Sequence, residues 1–243
     1  LAACGGQTAQ SPAPTPTAVP ESPAAEAHYP VTITSYNENG ETYTQTFDQC
    51  PERVVSISQA NTELLLALGL RDKIIATAHR FSPVYEPLAE EYNSIPFIAE
   101  KGYPAKEVVL DQEPDMIVGW GSLFADDALG ATSDWNARGI NTYLMKNTVS
   151  GLGKRNFEFL IQDIENFGKI FDIEEKTDAL VADIRSRLAA VEARTADIPE
   201  DERPTVLTVQ MLKDNEWFAR ADTDLTANII ELAGGKCLDE EYG

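Results

Sequence analysis

The apolar positions of the chain change their spacing from one segment to the next, and each spacing predicts a different element. Residues 31–36 and 42–47 alternate with period two on either side of Asn39-Gly40, which predicts a β-hairpin. Short apolar runs typical of buried strands follow at 53–57, 73–78, 115–119 and 142–146.

Helical patterns separate these apolar runs. They cover 61–68, 84–92, 105–112 and parts of 123–138. Strands that alternate with helices predict βαβ units and a mainly parallel sheet. We expect Asn61 to cap the first of these helices and Gly69 to end it.

Two longer helices come next. Phe157, Phe167 and Phe171 belong to one apolar stripe, and a second helix is predicted over 174–195, on the order of 30 Å long. The outer face of this second helix is charged, as expected of a rigid connection between two lobes. A strand over 205–212, a hairpin partner over 216–219 and a helix over 226–233 complete the pattern.

The segment after the long helix is short. Its roughly 40 residues are too few to close a second core, so we expect this lobe to be truncated in the present chain.

Composition changes the picture at the amino terminus. Residues 7–30 contain six prolines and almost no large apolar side chain, which predicts a disordered, extended tether. Just before it, Leu1-Ala2-Ala3-Cys4 resembles the lipobox of bacterial lipoproteins, in which the cysteine sulfur carries a diacylglyceryl group. We therefore expect a lipid anchor on Cys4, and two acyl chains hold a protein stably on a membrane.

Charge excludes several classes of function. The chain of 243 residues has 19 basic and 40 acidic residues, a formal net charge of −21. Nucleic-acid binding needs a basic surface, so we expect no nucleic-acid partner. No apolar run reaches the roughly 18 residues of a membrane span, so only the lipid anchor would contact the membrane. Three cysteines at positions 4, 50 and 237 show no spacing of metal ligands.

Three segments together resemble one family. They are the string from Pro51 through Asn61-Thr62-Glu63-Leu64 to Gly69, the string from Glu107 through Pro114-Asp115 to Val118, and the string from Thr226 to Gly234-Gly235. In order and spacing they are similar to the substrate-binding proteins of ABC importers, in the branch for iron–siderophore complexes, haem and vitamin B12. The resemblance covers about residues 31–243.

The resemblance implies an α/β fold of two Rossmann-like lobes joined by one long helix. The expected divisions are 1–30 as lipobox remnant and tether, 31–172 as the first lobe, 173–197 as the linking helix and 198–243 as the incomplete second lobe. It also implies a monomeric, extracytoplasmic, lipid-anchored protein without enzymatic activity or cofactor. Its partners would be an ABC permease with its ATPase, and a small metal-chelate cargo.

A bulky chelate needs a cleft with aromatic walls and a few polar groups, at the carboxyl ends of the strands. The positions after the four predicted strands are Ser58, Gln59, Ala60, His79, Arg80, Trp120, Gly121, Ser122, Lys146 and Asn147. Tyr103 and Lys101 lie in a loop that faces the same edge, and the second lobe offers Trp217, Phe218 and Arg220. His79 also fits a structural role, and Lys146 a solvated one.

Glu107 has a separate expected role. In the family that the chain resembles, a glutamate at this point docks into an arginine pocket of the permease, so we expect Glu107 on the outer surface.

The sequence does not identify the cargo, which is either a ferric siderophore or cobalamin or haem. A hydrolase is disfavoured because the chain has no G-x-S-x-G motif. With two histidines, direct capture of zinc or manganese ions is also disfavoured, and we expect no resident metal.

Overall fold

The computed structural model describes residues 27–214 and 216–238. Its first element is the expected hairpin, in which β1 (Val31–Tyr36) pairs antiparallel with β2 (Thr42–Phe47). The turn is held by the Asn37 side chain, whose Oδ1 accepts hydrogen bonds from the backbone N–H groups of Asn39 and Glu41. Gly40 has a φ of +81°, which glycine adopts without strain.

A five-stranded parallel sheet follows. Its strands are β3 (Val54–Ile57), β4 (Ile74–Ala78), β5 (Phe97–Ala99), β6 (Met116–Gly119) and β7 (Asn141–Leu144). Their spatial order is β5-β4-β3-β6-β7, and each neighbouring pair is parallel. The four predicted buried strands are confirmed. Strand β5 was not predicted, because three residues are too few to show a period.

Alternate residues of these strands enter two cores, one on each face of the sheet. Val54, Met116 and Val118 belong to one core, whereas Val55 and Ile117 belong to the other. Burial on both faces explains why these strands read as continuous apolar runs rather than as alternating ones.

Four short helices connect the strands. They are α1 (Gln59–Ala67), α2 (Ala89–Asn93), α3 (Lys106–Leu110) and α4 (Thr132–Asn136). The prediction that Asn61 caps α1 is wrong, since the helix starts two residues earlier and Ser58 occupies the N-cap position. Asn61 is buried inside the helix, where its Nδ2 donates to the Ile57 carbonyl at 2.9 Å. Gly69 follows the helix at φ +73°, as expected.

The two long helices are confirmed as α5 (Phe157–Phe171) and α6 (Glu174–Thr195). They approach closely at Gly168, where an added Cβ would lie 2.2 Å from Thr177 Oγ1. The first half of α6 packs on α5, and Thr177 and Val181 are its buried residues. The α/β class with a long helix, expected from the sequence, is therefore present.

The remaining elements form two small sheets and one helix. They are β8 (Thr205–Val206), β9 (Val209–Lys213), β10 (Glu216–Ala219), α7 (Leu225–Leu232) and β11 (Lys236–Cys237). β9 and β10 are antiparallel, and β8 and β11 are parallel. The strand predicted over 205–212 is thus two strands, interrupted at 207–208. Cys50 and Cys237, the two cysteines in the described ranges, are both unpaired.

Candidate functional site

The order of the sheet defines where a ligand would bind. β3 lies between β4 and β6, so the connections from β3 and from β6 leave the sheet in opposite directions. In open α/β sheets, ligands bind at the carboxyl edge beside such a switch point. Ser58, His79 and Trp120 immediately follow three adjacent strands at this edge.

Four aromatic rings meet at the carboxyl edge, and we call His79, Phe81, Tyr103 and Trp120 the aromatic cluster. The His79 ring centroid lies 5.3 Å from that of Tyr103, 5.7 Å from Phe81 and 5.8 Å from Trp120. The Phe81 and Trp120 centroids are 6.0 Å apart, and 55% of Phe81 is exposed. The cluster presents an apolar wall to solvent.

Polar contacts fix the loops that carry this wall. The Gln59 side chain is buried, and its Oε1 accepts from the backbone N–H groups of Phe81 at 3.2 Å and Ser82 at 3.0 Å. The Tyr103 hydroxyl and Ser122 Oγ are 2.7 Å apart. The predicted residue Gln59 therefore supports the aromatic cluster from behind.

Ser58 and His79 carry backbone strain at the same edge. Their φ angles are 100° and 61°, a region that favours glycine. Ser58 Oγ and His79 Nδ1 are also buried without a hydrogen-bond partner in the described part of the chain. Each unpaired group costs about 1–3 kcal/mol, and such costs concentrate at functional sites.

A cleft of 1020 Å³ opens in front of Phe81 and Trp120. Its lining includes Gly121 and Ser122 from the sheet side, and Gln210 and Arg220 from the segment after α6. The structure thus brings residues from both sides of α6 to one cleft.

Two guanidinium groups converge on the far side of this cleft. Arg220 Nη1 lies 3.0 Å from Asp224 Oδ2, and Arg155 Nη1 lies 3.4 Å from the same oxygen. Burial raises the pKa of Asp224, but hydrogen bonds from Thr226 and the Arg220 charge outweigh it and hold that pKa below its ordinary value. Two positive charges share one carboxylate here.

Two acidic residues also line the cleft, Glu38 and Asp126. The Glu38 carboxylate accepts from Thr132 N at 3.0 Å and from Thr132 Oγ1 at 2.9 Å, so one of its oxygens is already occupied.

Of the predicted ligand-binding residues, the cleft lining contains Trp120, Gly121, Ser122 and Arg220. The predicted residues of the same sheet edge that are outside this lining are Ser58, Gln59, His79 and Tyr103.

Three more predicted residues, Arg80, Lys146 and Asn147, turn to other partners. The Arg80 guanidinium lies 5.0 Å from the Phe97 ring centroid, on β5. Lys146 Nζ contacts the Gln162 side chain and lies over the Phe159 ring at 4.6 Å. Asn147 exchanges hydrogen bonds with the backbone of Asn156, both at 3.1 Å, and so positions the start of α5.

The other predicted residues lie at the surface. Trp217 and Phe218, on β10, are 68% and 44% exposed and do not line the cleft. Ala60 is exposed in the first turn of α1, and Glu107 is exposed on α3, outside the cleft lining. Cys4 and residues 7–26 of the predicted tether lie outside the described residues. The end of the predicted tether is not a free extended segment, because His28 and Tyr29 hydrogen-bond to the backbone of α5.

Sequence reasoning missed Arg155, Gln210 and Thr148 as cleft residues, and it did not select Phe81 from its loop. The sequence did contain an indication of Arg155, because the two glycines just before it, Gly151 and Gly153, are typical of a tightly turned loop. Both have positive φ in the structure, and Arg155 lines the cleft. Gln210 gave no signal, since it lies in an ordinary strand.

Sheet order and long helix together define an α/β fold with a cleft at the carboxyl ends of its strands. The chain belongs to the periplasmic binding protein family, whose model matches residues 54–243. The family-level resemblance drawn from the sequence is thereby confirmed.

Among curated proteins, the chain is 26% identical over 179 residues to the uncharacterized ABC transporter substrate-binding lipoprotein YvrC of Bacillus subtilis. The match covers 73% of this chain and 51% of that protein, so the chain spans about half the length of this relative.

Two solved structures share the fold. A periplasmic binding protein from Veillonella parvula DSM 2008 is 27% identical with a TM-score of 0.77, covering 88% of this chain and 67% of that one. A structure from Saccharomonospora viridis DSM 43017, described as an ABC-type Fe3+-hydroxamate transport system, is 25% identical with a TM-score of 0.71, covering 88% of this chain and 72% of that one.

Proposed function

We propose that this chain is part of a substrate-binding lipoprotein of an ABC importer, which captures a ferric siderophore complex in the cleft and delivers it to a membrane permease. The observation that carries the proposal is the cleft of 1020 Å³ between the aromatic cluster and the Arg155–Arg220 pair. The relatives support the importer role, because one is named an ABC transporter substrate-binding lipoprotein and another an Fe3+-hydroxamate transport structure.

The chemistry of the two walls fits such a complex. Phe81 and Trp120 offer exposed aromatic surface to the organic part of a chelate. Across the cleft, guanidinium groups pair with carboxylate-like oxygens in a fixed planar geometry. Oxygen-rich ligands of ferric iron carry negative charge, which the Arg155 and Arg220 guanidinium groups can pair with at their side of the cleft.

Cobalamin or haem is the second candidate cargo. Trp120 and Phe81 lie 6.0 Å apart and can contact a flat macrocycle as readily as a siderophore. The arginines favour an anionic cargo over a neutral corrinoid. Because haem also carries carboxylates, the ferric siderophore is placed before it on the relative described as an Fe3+-hydroxamate transport system.

The proposed localisation is outside the cytoplasm, with Cys4 as the lipid attachment site. Within residues 27–214 and 216–238, the helices are too short or too polar to cross a membrane. Glu107 is the proposed docking residue for the permease, because its exposed position outside the cleft leaves it free for a partner.

The test is a calorimetric titration of ferric siderophores, haem and cobalamin into the full-length protein, a readout that does not depend on Trp120 as the reporter. We expect Trp120→Ala to weaken binding of the preferred cargo at least tenfold, about 1.4 kcal/mol. Arg80→Ala is the matched loop control, since its guanidinium lies over Phe97 and should leave affinity within about twofold. Unchanged affinity in Trp120→Ala, or no binding across the panel, would refute the proposed site.

Glu107→Ala separates binding from delivery in the same system. Its cargo affinity should equal that of the wild type, whereas uptake by vesicles containing the permease should fall, because a charge pair steers docking. Normal uptake by this variant would remove Glu107 from the interface.

A further inference from the structure

The corner between α5 and α6 holds a second cluster of chemically active side chains, outside the cleft lining. The segment before β1 packs on this corner. The Tyr29 hydroxyl donates to the Ile170 carbonyl at 2.7 Å, and His28 Nε2 lies 2.7 Å from the Lys169 carbonyl. A carbonyl oxygen can only accept, so Nε2 carries the proton of this hydrogen bond.

The other ring nitrogen of His28 is turned toward two carboxylates. Nδ1 lies 3.2 Å from Asp172 Oδ1 and 3.9 Å from Glu174 Oε1, and the three ligand atoms all lie within 4.8 Å of one another. With the proton on Nε2, a neutral ring directs its Nδ1 lone pair at two negative groups. The three side chains thus offer one nitrogen and two oxygen donors at the same corner.

We infer that His28, Asp172 and Glu174 bind a divalent zinc ion. Zinc is bound in proteins by imidazole nitrogens and by Asp or Glu oxygens, and a site with three protein ligands keeps a water molecule in the fourth position. Tetrahedral bonds of about 2.0–2.1 Å place ligand atoms roughly 3.3 Å apart. The Nδ1–Asp172 separation of 3.2 Å matches that value, whereas Glu174 Oε1, at 3.9 Å from Nδ1, would have to move inward on binding.

The surroundings also suit a metal site. Metal-bound histidines usually donate their second N–H to a carboxylate or a backbone carbonyl, as His28 does to Lys169. The Asp172 and Glu174 side chains are 60% and 41% exposed, so they can rotate toward the ion and leave it an entry path.

Such an ion would connect three parts of the chain. His28 precedes β1, Asp172 lies between α5 and α6, and Glu174 is the first residue of α6. The site would therefore fix the direction in which the long helix leaves the first lobe. It differs in place and purpose from the cargo site, and it does not depend on the proposed function.

The experiment is calorimetric titration of ZnCl₂ into the full chain at pH 7.5, with excess Mg²⁺ to occupy non-specific acidic sites. We expect one zinc ion per chain, bound in the micromolar range or tighter. Glu174→Gln and His28→Gln should each weaken binding at least tenfold. Glu175→Gln is the matched control, because the same chemical change falls on the adjacent exposed residue of α6, outside the cluster.

A second measurement uses the wild type alone and so does not depend on how the variants fold. Co²⁺ in place of Zn²⁺ should give the visible absorption of a four-coordinate site, and Zn²⁺ should displace it. Absence of stoichiometric zinc binding or of this absorption would overturn the inference. So would equal zinc affinities in Glu174→Gln and Glu175→Gln, which would show that the ion binds without the Glu174 carboxylate.

Discussion

The regions before and after α6 differ sharply in how they are held together. Every residue of β3 and β6 is buried, whereas every described residue of β9 and β10 is exposed. Beyond α6, Ala227 is the one apolar side chain of the described ranges that belongs to the buried core. The first region is therefore stabilised by apolar burial, and the second mainly by polar contacts.

This difference bears directly on the cleft. The aromatic cluster is attached to a sheet with a core on each face, so its position follows from packing. Arg220 is instead positioned through Asp224, which also caps α7 by accepting from Thr226 N at 2.9 Å. The Arg155 backbone N–H adds one link between the regions, donating to the Thr223 carbonyl at 2.9 Å. One wall of the cleft is thus fixed by a core, and the other by a few hydrogen bonds.

The largest expected effect comes from comparing two tryptophans. Trp135 is fully buried and its Nε1 donates to the Leu129 carbonyl at 3.1 Å, whereas Trp217 on β10 is 68% exposed. Trp135→Ala should lower the free energy of unfolding by about 3–5 kcal/mol, because it leaves a large cavity. Trp217→Ala should change it by about 0.5 kcal/mol or less.

Urea unfolding followed by far-ultraviolet circular dichroism checks this comparison. The same chemical change in both variants controls for the loss of the ring itself. Similar losses of stability at the two positions would mean that the exposed hairpin contributes to the fold as much as the sheet does, against the contrast drawn above.

The same contrast explains what could be predicted from the sequence. The strands β3, β4, β6 and β7 and the helices α5 and α6 were predicted correctly, because burial imposes a strong apolar pattern on each. In the weakly buried segment after α6, β10 and α7 lie within one residue of the predicted 216–219 and 226–233. The run at 205–212, by contrast, is interrupted at 207–208. Where burial is weak, the apolar pattern carries less information about strand boundaries.

The site residues were predicted from strand ends rather than from the apolar pattern, and this criterion succeeded only in part. Trp120, Gly121, Ser122 and Arg220 were predicted from strand ends and from the second segment, and they line the cleft. Arg80 and Lys146 were predicted on the same grounds, yet their side chains turn to Phe97 and Phe159. A strand end places a backbone at the edge of the sheet, but the direction of a long side chain depends on neighbours distant in sequence.

The next effect depends on pH and concerns a buried carboxyl group in the first region. Burial raises the pKa of Asp163 from its ordinary value of 3.8 to about 7, against hydrogen bonds from the Tyr143 hydroxyl and the Lys146 backbone that lower it. The folded state therefore binds a proton that the unfolded state releases between about pH 4 and 7. Stability from this group is full below pH 4 and is lost as the pH rises through 7.

A pKa shift of this size corresponds to a difference on the order of 4 kcal/mol in the free energy of unfolding between pH values below 4 and above 7. Asp163→Asn keeps an acceptor for the Tyr143 hydroxyl but cannot ionise, so its stability should lack this pH-dependent loss. Unfolding free energies of wild type and variant at pH 4 to 8 test the difference. Asp178→Asn, at an exposed position of α6, should keep the wild-type slope. Parallel curves for wild type and Asp163→Asn would show that Asp163 ionises alike in both states.

The smallest expected effect lies within α6, where the two kinds of region meet. Val181 is 7% exposed and packs with the core, whereas Val191, ten residues further along the helix, is 39% exposed. Val181→Ala removes two buried methyl groups and should destabilise the protein by about 1–2 kcal/mol. Val191→Ala removes little burial and replaces a β-branched residue with the best helix former, so it should stabilise by a few tenths of a kcal/mol. The two substitutions are chemically identical, so each serves as the control for the other. If urea unfolding gives changes of opposite sign in the free energy of unfolding, α6 is stabilised by packing at its beginning and by its own helix propensity at its end. Destabilisation of similar size at both positions would mean that the end of α6 is packed as tightly as its start, and that the polar region beyond it is more firmly attached than its exposure indicates.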